Sequence, residues 1–249
     1  MTRILRNSIL LVLLFLSGCF AAIAQKTYIV AVGINNYDNG ENPLPCSIGD
    51  ARAICNFFDK YGNSDVFMLK DKNATRSHIL KVLKQQFSKS TPVDEVIFAY
   101  SGHGFDGGLS CYDSKNVVFC SEIQEIMRKT KARRKVMFIN ACHSGSFTKK
   151  YGNDSRSRRY KSNSSDVMLY LSSRANESSW ESSMMSTSFF YNRLIQALQG
   201  SADANKDKKV TARELFNYVN RNVINDTDGI QHPQMYGRFD DDMVVVYVR

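Results

Sequence analysis

Two short apolar runs, each ending in a glycine-containing turn, constrain the fold of this chain more than any other feature. Val96–Tyr100 leads into Ser-Gly-His-Gly, and Val136–Ile139 leads into Asn-Ala-Cys-His-Ser-Gly. Both runs are rich in β-branched and aromatic residues and lack polar alternation, which is typical of strands buried on both faces of a parallel sheet. Because α/β sheets form their sites at the carboxyl ends of such strands, the two turns mark a candidate site.

The rest of the chain alternates strand-like with helix-like segments. Thr27–Ile34 and Val66–Leu69 predict two more strands, Asp50 is a plausible N-cap for a helix over 51–61, and Thr75 caps the next helix. Further along, the pattern predicts a hairpin at 107–120, a strand at 167–171, helices at 121–130, 189–198 and 212–223, and a last strand at 243–248. This alternation favours βαβ units in an α/β fold.

His103 and Cys142, which lie in the two turns, are the candidate catalytic residues. A cysteine and a histidine at neighbouring strand ends can act as nucleophile and base, and nearby glycines let a substrate backbone approach. The alternative is a buried apolar cysteine and a hydrogen-bonded loop histidine.

Four segments resemble the bacterial branch of the caspase and metacaspase peptidases: Ala31–Tyr37, Asp50-Ala51, Tyr100–Gly104 and Ala141–Gly145. The caspase sequence Gln-Ala-Cys is not matched, because Asn140 replaces its glutamine. The resemblance extends from about Thr27 to the C-terminus. It implies a three-layer α/β/α sandwich with a six-stranded, mostly parallel sheet, and cysteine endopeptidase activity on peptides or proteins.

The resemblance also implies roles at the reacting centre. Cys142 would attack the scissile carbonyl, His103 would protonate the leaving amine, and the backbone amides of Gly104 and Cys142 would bind the oxyanion. No cofactor is required for this chemistry. The alternative is a catalytically silent caspase-like module that binds peptides or assembles with envelope partners, and retention of both residues argues against it.

Four residues are candidates for substrate binding: Asp50, Asn140, Trp180 and Glu181. Asn140 should share a strand face with Cys142, and Asp50 matches the acidic S1 residue of metacaspases. Glu181 replaces the arginine with which caspases bind an acidic P1 residue. An acidic pocket favours Arg or Lys at P1, the substrate residue before the scissile bond. The alternative role for Asp50 is the helix cap.

Residues 1–24 have the pattern of a secretory signal, with Arg3 and Arg6 before the apolar run Ile9–Leu16 and small residues at its end. Leu16–Cys19 also resembles a lipoprotein signal, in which Cys19 would be lipidated and anchor the protein to a membrane. Either route predicts export to the bacterial periplasm, envelope or exterior. Residues 25–249 then form a single domain.

The formal net charge of +9 is concentrated in a basic linker at residues 148–165. The charge is a local property of this linker, and a single basic loop does not by itself predict nucleic-acid binding. In the family, a linker after the cysteine strand is often cut during activation, so self-cleavage is expected here. The alternatives are a solvated linker that is never cut and one that is cut by another protease.

Export places four more cysteines in a compartment that permits disulfides: Cys46, Cys55, Cys111 and Cys120. A bond between Cys111 and Cys120 across the hairpin is one alternative, and four reduced, packed thiols are the favoured one. No pair has the spacing of a zinc site.

Asp203–Glu214 resembles an EF-hand loop and predicts calcium binding. Lys208 stands where such loops have glycine, and the alternative is a polar turn in which Thr211 caps the next helix through Glu214. The candidate ligands are Asp203, Asn205, Asp207, Lys209, Thr211 and Glu214.

Overall fold

A six-stranded sheet forms the centre of the molecule. The structure is a computed structural model and describes residues 25–38, 40–105, 108–113, 116–142, 167–174, 177, 186–237 and 241–248. The main strands are β1 (Thr27–Gly33), β2 (Ser64–Lys70), β3 (Glu95–Ser101), β7 (Arg134–Asn140), β8 (Val167–Leu171) and β10 (Gln234–Tyr236). Their order is β10-β8-β7-β3-β1-β2, and only β10 is antiparallel to its neighbour.

Helices cover both faces of this sheet, because alternate strand residues point to opposite sides. Val30 and Val32 face a cluster that contains side chains of α2 (Arg76–Phe87) and α3 (Cys120–Arg128). Ile29 and Ala31 face the other cluster. That second layer contains α1 (Ser47–Tyr61), α4 (Phe189–Gln196) and α5 (Ala212–Asp226). The predicted three-layer α/β/α sandwich is therefore confirmed.

Two small sheets lie outside the main sheet. β4 (Gly104–Phe105), β5 (Gly108–Ser110) and β6 (Val117–Phe119) form one, and β9 (Lys209–Thr211) pairs with β11 (Val244–Tyr247) in the other. Among the described residues, no helix combines the length and the apolar character needed to cross a membrane.

Two sequence predictions need correction. The predicted last strand pairs with β9 in a separate sheet, and the sixth strand of the main sheet is β10, which the sequence analysis did not predict. The first helix begins at Ser47 rather than at residue 51, with Cys46 at its N-cap. The favoured prediction for the cysteines is confirmed, because Cys46, Cys55, Cys111 and Cys120 are free and buried. In the β5–β6 hairpin Cys111 lies opposite Asn116 rather than opposite Cys120.

Candidate active site

The sheet register brings His103 and Cys142 to equivalent positions at one edge. β3 and β7 are adjacent and parallel, and Ser101 is paired with Asn140 at their carboxyl ends. His103 follows Ser101 by the same number of residues as Cys142 follows Asn140. Because neighbouring strands lie about 5 Å apart, this register brings the two turns side by side. Gly102 N–H also donates to Asn140 O, at 3.1 Å, which joins the turns directly.

Gly104 lies directly against the cysteine turn. A β-carbon at this position would stand 2.7 Å from Ala141 Cβ and 3.0 Å from Cys142 O, so a side chain would separate the turns. Ser110 N–H donates to His103 O, which makes Gly104 and Leu109 a non-hydrogen-bonded pair. The amide of Gly104 therefore points away from β5, as an oxyanion donor requires.

The loop between β1 and α1 fixes the imidazole of His103. His103 Nε2 lies 2.8 Å from Asn42 O, and the Tyr37 and His103 rings are 4.9 Å apart between centroids. A carbonyl oxygen can only accept, so Nε2 carries the proton and Nδ1 is the free base of the neutral ring. Asp71 holds the start of this loop through the amides of Asn35 and Asn36.

Cys142 differs from the other cysteines in its exposure. Of the five cysteines in the described residues, four are buried and Cys142 is partly exposed. Burial raises the pKa of Cys55 and of Cys111 to about 12, so these thiols stay protonated and unreactive. The accessible thiol is therefore the one beside His103.

The residue before Cys142 is held by the segment that follows β8. Ala141 N–H donates to Ser172 Oγ at 3.3 Å, and Ser173 Oγ donates to Ala141 O at 3.5 Å. Both serines are fully buried. These contacts fix the backbone on the amino side of Cys142, which limits the movement of the thiol.

Asp50 is fully buried and accepts four hydrogen bonds. Ser101 Oγ, Ser188 Oγ and Asn140 Nδ2 donate to Oδ2 at 2.7, 2.8 and 3.0 Å, and Ser188 N donates to Oδ1 at 2.8 Å. Burial raises the pKa of Asp50 to about 7, against the opposing effect of these bonds. Asp50 is in the first turn of α1 rather than at its N-cap, so the helix-cap alternative is wrong.

Asn140 lies between Asp50 and the nucleophile. Its amide nitrogen donates to Asp50 Oδ2 and to Ser101 Oγ. Asn140 is only 3% exposed, and its Oδ1 is buried without a hydrogen-bond partner among the described residues. An unpaired buried acceptor is costly, and none of the described residues supplies a donor that would offset this cost.

Several sequence predictions concern residues or segments that lie outside the described residues. They are Trp180, Glu181, the basic linker at 148–165, the signal at 1–24 and Cys19.

The loop Asp203–Glu214 is described; it follows α4 in the chain and ends in the first turn of α5. Asp203 accepts from the amides of Asp207 and Lys208, and Lys208 has the left-handed φ of 64° that the loop position demands. Thr211 and Glu214 form the capping box of α5. No three acidic, histidine or cysteine side chains within the described ranges are close enough to hold a metal ion.

The sequence interpretation missed four groups at the site: the Tyr37 ring, the Asn42 carbonyl, Ser101 and Ser188. Tyr37 and Ser101 lie inside the motifs that carry the resemblance, so their position could have identified them. No sequence pattern identifies Asn42, because it contacts His103 through its backbone carbonyl. No pattern identifies Ser188 either, because it lies far from Asp50 in the sequence.

The fold and the two turns define a caspase-like α/β protein, and comparisons with known proteins agree. A family model described as the caspase domain of the C14 peptidases matches residues 26–244, and the chain belongs to this family. The crystal structure of protein GSU0716 from Geobacter sulfurreducens is similar, with a TM-score of 0.66 and 16% identity. The match covers 87% of this chain and 95% of that chain, and it shows a shared fold. A search of curated proteins finds no match.

Proposed function

We propose that the protein is an exported cysteine endopeptidase with a His103–Cys142 dyad. The register of β3 and β7 carries this proposal, because it brings the only partly exposed cysteine of the described residues beside His103. Membership of the caspase-domain family supports a peptidase acting on peptides or proteins. Hydrolysis of a peptide panel by the protein beginning at residue 25, compared with Cys142→Ala, is the direct test.

The chemistry follows from the contacts of His103. With Nε2 bound to Asn42 O, Nδ1 takes the thiol proton as Cys142 Sγ forms a bond to the scissile carbonyl carbon. The same proton passes to the amine as the C–N bond breaks, which leaves a thioester. Water then attacks the thioester carbonyl with His103 as base. The C–S bond breaks, the carboxylic acid product leaves, and the Cys142 thiol is regenerated.

The amides of Gly104 and Cys142 would stabilise the oxyanion that forms in each step. Gly104 N–H points away from the β4–β5 ladder, and a β-carbon on Gly104 would contact Ala141 Cβ and Cys142 O. Such a donor contributes about 3 kcal/mol where it has been measured in other hydrolases. Because the donors belong to the backbone, no side chain has to be ordered at the moment of reaction.

A basic P1 residue is the substrate feature that the described part of the pocket favours. Asn140 Oδ1 is an unpaired acceptor, and the carboxyl of Asp50 lies immediately behind the amide of Asn140. A cationic side chain near Asn140 would carry a charge opposite to that of ionised Asp50. Glu181, which the sequence assigns to the same pocket, would add to this preference.

Self-cleavage in the basic linker is expected if P1 is basic. The wild-type protein should cut itself within residues 148–165, while Cys142→Ala should stay intact, since unpaired exposed backbone fits a protease cleft. Sequencing of new N-termini after separate incubations identifies the sites. Cleavage of both proteins would assign the cut to another protease. The candidate P1 residues are Lys149, Lys150, Arg156, Arg158, Arg159 and Lys161.

Calcium binding at Asp203–Glu214 stays a prediction, with a Kd in the micromolar to millimolar range. Glu214→Gln removes the only candidate bidentate ligand, so calorimetry should show heat with calcium for the wild type and much less for the variant. Lys131→Gln, a charge change outside the loop, is the control. Equal heats, or none for the wild type, would favour a turn whose function is to cap α5.

A further inference from the structure

Two phenols surround the backbone of His103. His103 N–H donates to Tyr37 Oη at 2.7 Å, and Tyr100 Oη donates to His103 O at 2.7 Å. The two phenol oxygens are 3.5 Å apart. The single proton of Tyr100 is shared between His103 O and Ser110 O, which lies 2.8 Å from Oη, and Ser110 N–H also donates to His103 O. Both backbone polar groups of His103 are therefore fixed.

Both phenols are buried beneath the turn. Tyr37 is 7% exposed and Tyr100 is 1% exposed. Burial raises the pKa of each well above its ordinary value, so both hydroxyls keep their protons and can donate. A β-carbon on Gly102 would lie 2.5 Å from Tyr100 Oη and 2.6 Å from Tyr37 Oη, which explains the glycine before His103.

Tyr37 contacts His103 at a second place. Its ring lies against the imidazole at a tilt of 39°, while Asn42, five residues further along the same loop, binds Nε2. The loop is held at Asn35 and Asn36 by Asp71, and at Asp38 by Tyr112 O. Tyr37 therefore fixes both the backbone and the ring plane of His103, whereas Tyr100 fixes only the backbone.

We propose that Tyr37 is a positioning residue, which holds the imidazole of His103 so that Nδ1 is directed at Cys142. This inference rests on the proposed dyad. Tyr37 touches neither the thiol nor the scissile bond in the mechanism proposed here, so its effect is exerted through His103. Loss of its hydroxyl should impair proton transfer and leave substrate binding largely intact.

Tyr37→Phe removes the hydroxyl and keeps the ring, and Tyr37→Leu removes both. We expect kcat to fall about tenfold for Tyr37→Phe and further for Tyr37→Leu, with KM within about twofold of wild type, because the pocket is unchanged. The control is Tyr170→Phe, which removes a buried phenol that donates to Ala212 O on the opposite face of the sheet. Its kcat should match that of wild type. Assays are run well below the melting temperature of each variant.

A spectroscopic measurement separates this inference from the proposed function. In ¹⁵N-labelled protein the imidazole of His103, assigned with His103→Gln, should show the Nε2–H tautomer, and Tyr37→Leu should convert it to a mixture. Should the wild type hydrolyse no peptide, the proposed function fails while the spectrum still decides the role of Tyr37. Unchanged kcat and an unchanged spectrum in both Tyr37 variants would overturn the inference, as would an equal loss of kcat in Tyr170→Phe.

Discussion

Replacement of Cys142 by alanine is expected to lower kcat/KM for peptide hydrolysis by at least about a thousandfold. The variant keeps the turn and its amides but has no atom that can form the thioester. His103→Ala should cause a comparable loss, because the thiol then has no base and the leaving amine has no acid. The measurement is steady-state hydrolysis of fluorogenic peptides, with melting temperatures to show that each variant is folded.

A matched control is available among the other cysteines. Cys55 is buried in α1 against the face of the sheet that α4 and α5 cover, and Cys55→Ala should cost some stability and leave kcat/KM near that of wild type. This comparison separates loss of a thiol from loss of the nucleophile. Wild-type turnover by Cys142→Ala would refute the dyad.

The second large effect is expected in P1 preference. Peptides with Arg or Lys at P1 should be cleaved at least about a hundredfold more efficiently than those with Asp, since juxtaposed like charges cost several kcal/mol and 1.4 kcal/mol corresponds to tenfold. The preference for Arg over a neutral residue such as norleucine should rise between about pH 6 and pH 8. Burial raises the pKa of Asp50 to about 7, so the carboxyl becomes charged in this range.

Asp50→Asn should abolish that pH dependence of the Arg-to-norleucine ratio, whatever happens to the absolute rates. Asn cannot accept all four hydrogen bonds that Asp50 accepts, so the variant is expected to have lower absolute rates. The ratio of the two substrates cancels a loss that affects both equally. A wild type that cleaves only after Asp, or a ratio that is flat with pH, would contradict the pocket proposal.

The same pKa has a consequence for stability. Between the unfolded value near 4 and the folded value near 7, the folded protein binds more protons at Asp50 than the unfolded chain. The contribution of Asp50 to the free energy of unfolding should therefore fall as pH rises through this window, and Asp50→Asn should remove it.

Local sequence patterns were sufficient to predict most elements of this protein. Continuous apolar runs predicted β1, β3 and β7, because a strand covered on both faces has no polar positions. Thr75 and the Thr211–Glu214 pair predicted helix starts, because capping depends on residues within one turn. The two glycine-containing turns also predicted the edge of the sheet where the candidate site lies.

Only the tertiary structure decided the contacts made across the chain. β10 is three partly exposed residues long, so it has no apolar pattern, and only pairing with β8 makes it a strand. The hydrogen-bond partners of Asp50 could not be predicted locally, since they come from β3, β7 and the start of α4. The contact between His103 and the Asn42 carbonyl could not be predicted either, because every residue type has a backbone oxygen. Sequence specifies such groups only through the fold that brings them together.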